Sequence, residues 1–389
     1  MSPLTACRLM VLSLGLAAAG APVLADPPPA VAGVPALFSV TEATVQSLAT
    51  PAQSGPFAVQ VFAGGAVVDV LLQPVSVRSP TFKVFVDDGS GLHETPAAPE
   101  MNFTGSAVGR PGSLARLSVV NGSWRGAIDL GDGGPLWWVQ PLSDAQPGAP
   151  AGQHAVFAGD ALLAGEHGCP GGVETGLTPV GGPKGGGPAC IRATEIAFDA
   201  DVLFYQQNGS SVAATNADID SIVNSMNLIY GRDATTTFIV TAHIVRTSPG
   251  LYTSNVPQTL LNQMATEWQN NQMAVVRDIA HLMTGQPTGS TIGLAFNGAV
   301  CSAQFGYGFS QSRYTSNFAN RVSLTCHEVG HNFSASHCDA DPDCAIMCSI
   351  NGGCAHNVSG FSQRSINEIR SYATASACLA NAAGIAPAV

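Results

Sequence analysis

Charge is what this sequence has least of: only 11% of its 389 residues are Asp, Glu, Lys or Arg, and the formal net charge is −11. Neither half offsets the other. Residues 26–189 carry 13 acidic and 6 basic side chains, and residues 190–389 carry 13 and 8; adding Arg8 gives the totals of 26 and 15. There is no basic run able to follow a phosphate backbone, which argues against nucleic acid as a partner. An internal repeat is also missing, and beyond the N-terminus no uninterrupted apolar stretch reaches the ~18 residues a spanning helix needs. What is plentiful is apolar side chain, at 46%, and glycine, with 43. Such a chain can bury a sizeable core with many turns, and its length allows two or three domains.

The first residues read MSPLTACRLMVLSLGLAAAGAPVLAD, with one arginine, Arg8, before an apolar run from Leu9 to Ala19 and small residues at Val23-Leu24-Ala25. This is the layout of a secretory signal peptide over 1–25, so the mature protein is expected to be secreted, extracellular or periplasmic, with no membrane anchor once the signal is removed. Export changes what cysteine means, because disulfides persist outside the cytosol. Of ten cysteines, Cys7 leaves with the signal, eight lie from Cys190 onward and could form four bridges, and Cys169 is left over.

Residues from about 36 to 142 read as strands: FAVQVFAGGAVVDVLL and LARLSVVNGSWRGAIDL alternate or carry β-branched runs, with Gly and Asn-Gly at the breaks. PGGVETGLTPVGGPKGGGP, Pro170 to Pro188, is a Gly/Pro-rich linker that no core could use. Beyond it, strands and amphipathic helices alternate. Val212, Ile219, Ile222, Val223, Met226 and Ile229 fall on one helical face, Thr236 opens a strong strand, and Ser362 opens a last helix. The expected organisation is a β-rich segment over 26–169, a linker over 170–189, and an α/β or α+β domain with a mixed sheet over 190–389, of a size able to carry an active site.

Three of the nine histidines lie in HEVGHNFSASH, His327 to His337. On a helix His327 and His331 share a face, which makes half of a zinc site, and Glu328 beside them is a candidate base. His337 is six residues further on, about 240° around a continuing helix, so it can join them only if the helix ends near Asn332 or Ser334. Three imidazoles leave one tetrahedral position open, as a catalytic zinc requires. One Zn2+ is therefore expected as cofactor, with Glu328 taking the proton of a zinc-bound water as it attacks a carbonyl. The run Asp339-Asp341-Asp343 could hold calcium, but it lacks the glycine and distal glutamate of an EF-hand loop and reads better as a solvated acidic loop.

HEVGHNFSASH resembles the HExxHxxGxxH motif of metzincin metalloproteases, and CAIMC, with Met347 ten residues after His337, resembles their Met-turn. The wording is most similar to the adamalysin/reprolysin branch, relatives of ADAM and snake-venom metalloproteases. The likeness covers most of the chain from about residue 100 and is specific in the second half. It implies a metzincin-like fold over 190–389, zinc on His327, His331 and His337, Glu328 as base, and Met347 beneath the metal. It also implies that TIGLAF, Thr291–Phe296, is the edge strand that binds extended protein or peptide substrates, and that Cys301 pairs with Cys378. The chain departs from the branch at Ser334, where the family has glycine; at Cys338, which separates His337 from Asp339; and in Cys326, Cys344, Cys348 and Cys354, whose pairing stays open.

If the helix ends as in that branch, Ser334 must adopt an unusual, left-handed backbone. Cys169 in EHGCPGG is a candidate fourth zinc ligand in a latent precursor, since a thiolate binds zinc well and the branch places a cysteine switch late in its propeptide. A disulfide from Cys169 to Cys190 or another cysteine is the other reading. The resulting expectation is a secreted zinc endopeptidase made as a zymogen, with an inhibitory propeptide over 26–169 and removal in the linker. The alternative is a non-catalytic secreted binding protein that keeps the fold and its zinc; the retained Glu328 speaks against it.

Overall fold

In this computed structural model the described residues are 33–51, 55–177, 191–354 and 357–381. The signal-peptide segment and residues 178–190 of the linker region lie outside them. The first half supplies a short helix, α1 (Val34–Leu37), and ten strands: β1 (Thr44–Ser47), β2 (Phe57–Ala63), β3 (Ala66–Pro74), β4 (Arg78–Asp87), β5 (Leu92–Thr95), β6 (Asn102–Ala107), β7 (Leu114–Val120), β8 (Ser123–Asp129), β9 (Trp137–Pro141) and β10 (Gln153–Ala158). The second half follows as β11 (Arg192–Ala200), α2 (Val202–Gln207), α3 (Val212–Ala234), β12 (Thr236–Arg246), α4 (Pro257–Asn271), β13 (Ile279–Met283), β14 (Gly293–Ala295), β15 (Tyr307–Ser310), α5 (Phe318–Asn332), α6 (Gln363–Ala375) and β16 (Ala380–Asn381). Among the described residues no helix is long and apolar enough to cross a membrane.

The glycines of the strand-rich half work where the chain reverses. Gly64 and Gly65 close the two-residue turn between β2 and β3, and Asn121-Gly122 closes that between β7 and β8, all with positive φ. Such turns match the right-handed twist of antiparallel strands. The eight strands of this sheet run in the order β1-β10-β9-β8-β7-β6-β3-β2.

A second sheet has the order β14-β15-β13-β11-β12-β4-β5, with β16 pairing β11. Strands β15, β13, β11 and β12 are mutually parallel, and β14 lies antiparallel at one edge. The mixed α/β character expected of the second half is therefore present. The opposite edge is unexpected: β4 and β5 come from the first half, and β4 runs parallel to β12. Residues 44–158 thus form an eight-stranded sheet of their own, and one hairpin from the same half, β4–β5, extends the second sheet.

Helices α3 and α5 lie between the two sheets. Of the predicted apolar face of α3, Ile219, Ile222, Val223, Met226 and Ile229 are fully covered, and Val212, at the start of the helix, is half-buried. Its polar face is buried as well, including Asp218, Asp220, Ser221 and Asn224, because β7 and β8 lie against it. All fifteen residues of α5 are buried. Disulfides join Cys301 to Cys378, Cys338 to Cys344 and Cys348 to Cys354. Cys326 on α5 is buried and free, and Cys190 lies outside the described residues, so only three of the four conceivable bridges are seen.

Candidate metal centre

Helix α5 starts with Asn317 as N-cap, its side chain accepting from the Asn320 amide. Its end is enforced from outside. The carbonyls of His331 and Asn332 accept from the amides of Gly298, Ala299 and Val300, while the Asn332 side chain donates to Phe296 and Tyr307 carbonyls. The final carbonyls, which a helix cannot satisfy internally, are thereby met. Two residues on, Ser334 turns into the left-handed region at φ 65°, and the Ala335 amide closes back on the Gly330 carbonyl. This turn is what lets His337 return to the face that carries His327 and His331.

The three Nε2 atoms converge: His331 to His327 is 3.1 Å and His337 to His327 is 3.2 Å. The sulfur of Cys169 stands 3.6 Å from His331 Nε2 and 3.6 Å from Glu328 Oε2. Four ligands at tetrahedral angles around zinc, with Zn–N of ~2.1 Å and Zn–S of ~2.3 Å, would be separated by ~3.4 Å between nitrogens and ~3.6 Å between nitrogen and sulfur. The donor set therefore fits one zinc ion. The other ring nitrogens complete the arrangement, since His327 Nδ1 meets the Ile346 carbonyl at 2.7 Å and His331 Nδ1 the Ala335 carbonyl at 2.8 Å. With Nδ1 protonated by that contact, each Nε2 keeps a free lone pair for a metal.

Burial disfavours charge on every member of the cluster. It lowers His327 to about 4, with His337 adding to the effect, and it lowers His331 far below its ordinary value. Burial also lowers His337, and it raises Glu328 and Cys169 well above theirs; the neighbouring Glu328 raises Cys169 further. Glu328 Oε1 is buried and has no hydrogen-bond partner. Three neutral imidazoles, a thiol and a buried carboxyl with an orphaned oxygen are groups that a divalent cation would satisfy together.

Glycine makes the room. A Cβ on Gly293 of β14 would lie 2.2 Å from Glu328 Oε1, and one on Gly330 would lie 2.6 Å from Met347 Sδ. Met347 thus packs against α5 between the two histidines, and the two short disulfides, Cys338–Cys344 and Cys348–Cys354, flank the His337 loop and the Met347 turn. Sequence reasoning overlooked Gly293 and Gly330; the signal for the first is a glycine inside a strand pattern, which marks close approach by another group.

The segment carrying Cys169 lies in the cleft beside this centre. Gly168 and Val173 form parallel bridges with Thr291 and Phe296, and Gly168 also bridges Ile350 on the opposite wall. Ile292 and Asn297 donate to the Gly168 and Val173 carbonyls, Val173 donates to Ala295, and Cys169 donates to Ser349. A Cβ on Gly168 would sit 1.9 Å from the Ser349 carbonyl oxygen, and one on Gly172 would sit 3.2 Å from the His331 ring. The glycines of GCPGG are thus fitted to the cleft. The first residues of the stretch read as linker belong to this plug, and the regular edge strand is Gly293–Ala295, shorter than the predicted Thr291–Phe296. The acidic residues after His337 are taken by protein partners: Asp339 accepts from Ser349, Asp341 pairs with Arg364, and Asp343 accepts from the Gln363 amide.

Residues 216–338 match the model of metallo-peptidase family M12B, reprolysin-like. Mouse and human disintegrin and metalloproteinase domain-containing protein 19 are each 28% identical to this chain over 166 residues, 42% of its length. That segment is 18% and 17% of those relatives, so the chain spans under a fifth of the proteins it matches. The crystal structure of metalloproteinase-II from Bacteroides fragilis aligns with 84% of this chain and 92% of its own at 11% identity and a TM-score of 0.45. The matched segment contains most of α3, the edge strand, α5 and all three histidines, and over it this chain is similar to the reprolysin-like metallopeptidases of family M12B.

Proposed function

We propose that the protein is a secreted zinc-dependent endopeptidase made as a zymogen. The observation that carries this reading is the set of separations among His327, His331, His337 and Cys169, which suits tetrahedral zinc with three permanent ligands and one removable one. Zinc bound there would supply Lewis acidity and lower the pKa of a coordinated water toward ~7. The chain's own groups do the rest. Glu328, beside His327 and within reach of the site, takes the proton of the attacking water and passes it on. The edge strand β14 and the Ser349–Ile350 wall bind backbone: an extended peptide replacing the plug would meet the same amides and carbonyls that now hold residues 168–173.

Residues 1–25 are read as the signal, 26–169 as an inhibitory segment, 170–189 as the place of activating cleavage, and 190–389 as the catalytic domain. Three disulfides support an oxidising, extracellular or periplasmic location. Latency resides in the plug, because Cys169 fills the position that a substrate carbonyl needs.

Cys169→Ala in the uncut chain is expected to gain cleavage of casein or gelatin, with about one zinc per chain, and a chelator is expected to abolish it. Adding Glu328→Gln should leave zinc in place and remove activity by orders of magnitude. Zinc at one equivalent without cleavage in the Cys169→Ala chain would overturn the proteolytic reading in favour of a binding protein, and Cys169 found in a disulfide would overturn the latency mechanism.

A further inference from the structure

We infer that residues 33–163 are a permanent structural subunit of the enzyme, which stays bound to the second half after cleavage in the linker, and that only the plug around Cys169 is displaced on activation. Four contacts carry this, and none involves the plug.

The first is a backbone ladder. β4 pairs β12 from Val240 to Arg246 and shields the edge that β12 would otherwise present. A bare parallel edge strand of this length is a site for unwanted pairing. The second contact is at the start of the active helix. Gln140 of β9 donates to the Ser316 carbonyl at 3.0 Å and accepts from the Phe318 amide at 2.8 Å, while Asn317 donates to the Phe38 carbonyl. Gln140 thus satisfies one of the orphan donors of the helix that carries His327, Glu328 and His331, and it is a positioning residue for them.

The third contact is the core. Phe38, Trp138, Phe157 and Leu162 from the first half share one apolar cluster with Phe318, Ala319 and Val322 of α5, and the Trp138 and Phe318 rings meet edge to face. Without them the first two turns of the active helix would face water with an aromatic surface. The fourth contact is polar and matched. Arg125 pairs with Asp218 and Arg78 with Asp220, all four nearly or fully buried, and Asn224 donates to the Phe103 and Leu117 carbonyls. A shared apolar core, a paired strand and buried ion pairs together describe a permanent interface rather than a dissociable one.

Cleavage nevertheless frees one end of the plug. Residues 166–177 lie between the body of the first half and the linker, so a cut beyond them lets them leave the cleft while 33–163 remain.

The test uses the full-length Cys169→Ala chain with a recognition sequence for a specific protease inserted between residues 178 and 190, so that the metal anchor contributes nothing. After cutting, both fragments are expected to co-elute in size-exclusion chromatography at the volume of the uncut chain and to part only in denaturant. Separation with the second fragment eluting as a folded, zinc-holding monomer overturns the inference. In the uncut Cys169→Ala chain, Trp138→Ala should lower a single unfolding transition by about 5 °C, with zinc released in that same transition. A second half that keeps zinc above the temperature at which the first half melts would also overturn it. Elution and melting are read without substrate, so failure of the proteolytic reading leaves this test intact.

Discussion

Gly293→Ala places one methyl group against the proposed base and nothing else. Its Cβ would lie 2.2 Å from Glu328 Oε1, 2.6 Å from Cδ and 2.7 Å from Cγ. Ordinary contacts between such atoms begin near 3.2 Å, with the optimum at ~3.5–4.0 Å, so the carboxyl has to move by about 1 Å. Gly293 is extended and not in the left-handed region, so alanine brings no backbone strain of its own. The three histidines are untouched and zinc should remain at one per chain. A misplacement of ~1 Å at a catalytic group costs on the order of 100-fold, or about 2.7 kcal/mol of barrier. The assay is kcat/KM on a fluorogenic peptide, in the Cys169→Ala background so that latency does not mask the effect. The loss should fall mainly in kcat, because the carboxyl acts on the reacting water rather than on the rest of the substrate. A kcat/KM within threefold of the parent, with zinc retained, would refute the claim that β14 holds the base in place through its missing side chain.

Two further changes test neighbouring parts. Ser334→Gly removes a Cβ from a residue at φ 65°, relieving ~1–2 kcal/mol but enlarging the unfolded ensemble by ~0.4–1 kcal/mol, so stability should be unchanged or rise by about 1 kcal/mol; a fall in melting temperature would show that the serine side chain contributes to the turn. Gly168→Ala drives a Cβ to 1.9 Å from the Ser349 carbonyl oxygen, a backbone atom that cannot give way. Overpacking of this kind costs ~1–3 kcal/mol, which should open the plug and raise proteolysis by the uncut chain about 5- to 150-fold with Cys169 still present; unchanged latency would mean that the thiol alone closes the site.

The local features of the site were legible because they depend on spacing within a few turns of chain. Helical geometry puts His327 and His331 on one face, and the same geometry requires a break before His337; the break stands at Asn332, with Ser334 in the left-handed turn. The last helix and its Ser362 cap, the strand from Thr236 and the Asn-Gly turn at 121–122 follow equally from local signals. The Cys301–Cys378 pair came from family likeness. The pairing of Cys338 with Cys344 and Cys348 with Cys354 had to await coordinates, since cysteine count does not determine connectivity.

Tertiary structure alone decided which segments meet across the chain. No local pattern says that β4, from residues 78–87, pairs with β12, some 160 positions later, or that the polar face of α3 is buried under a second sheet. A helix with one apolar and one polar face reads as a surface helix, and only the arrival of Arg78, Arg125 and Asn102-to-Val120 strands makes its polar face an interior one. The glycines at 168, 293 and 330 are of the same kind. Their identity is visible in the sequence, but the atom each leaves room for belongs to another element, and close packing between elements is settled only when the whole chain has folded.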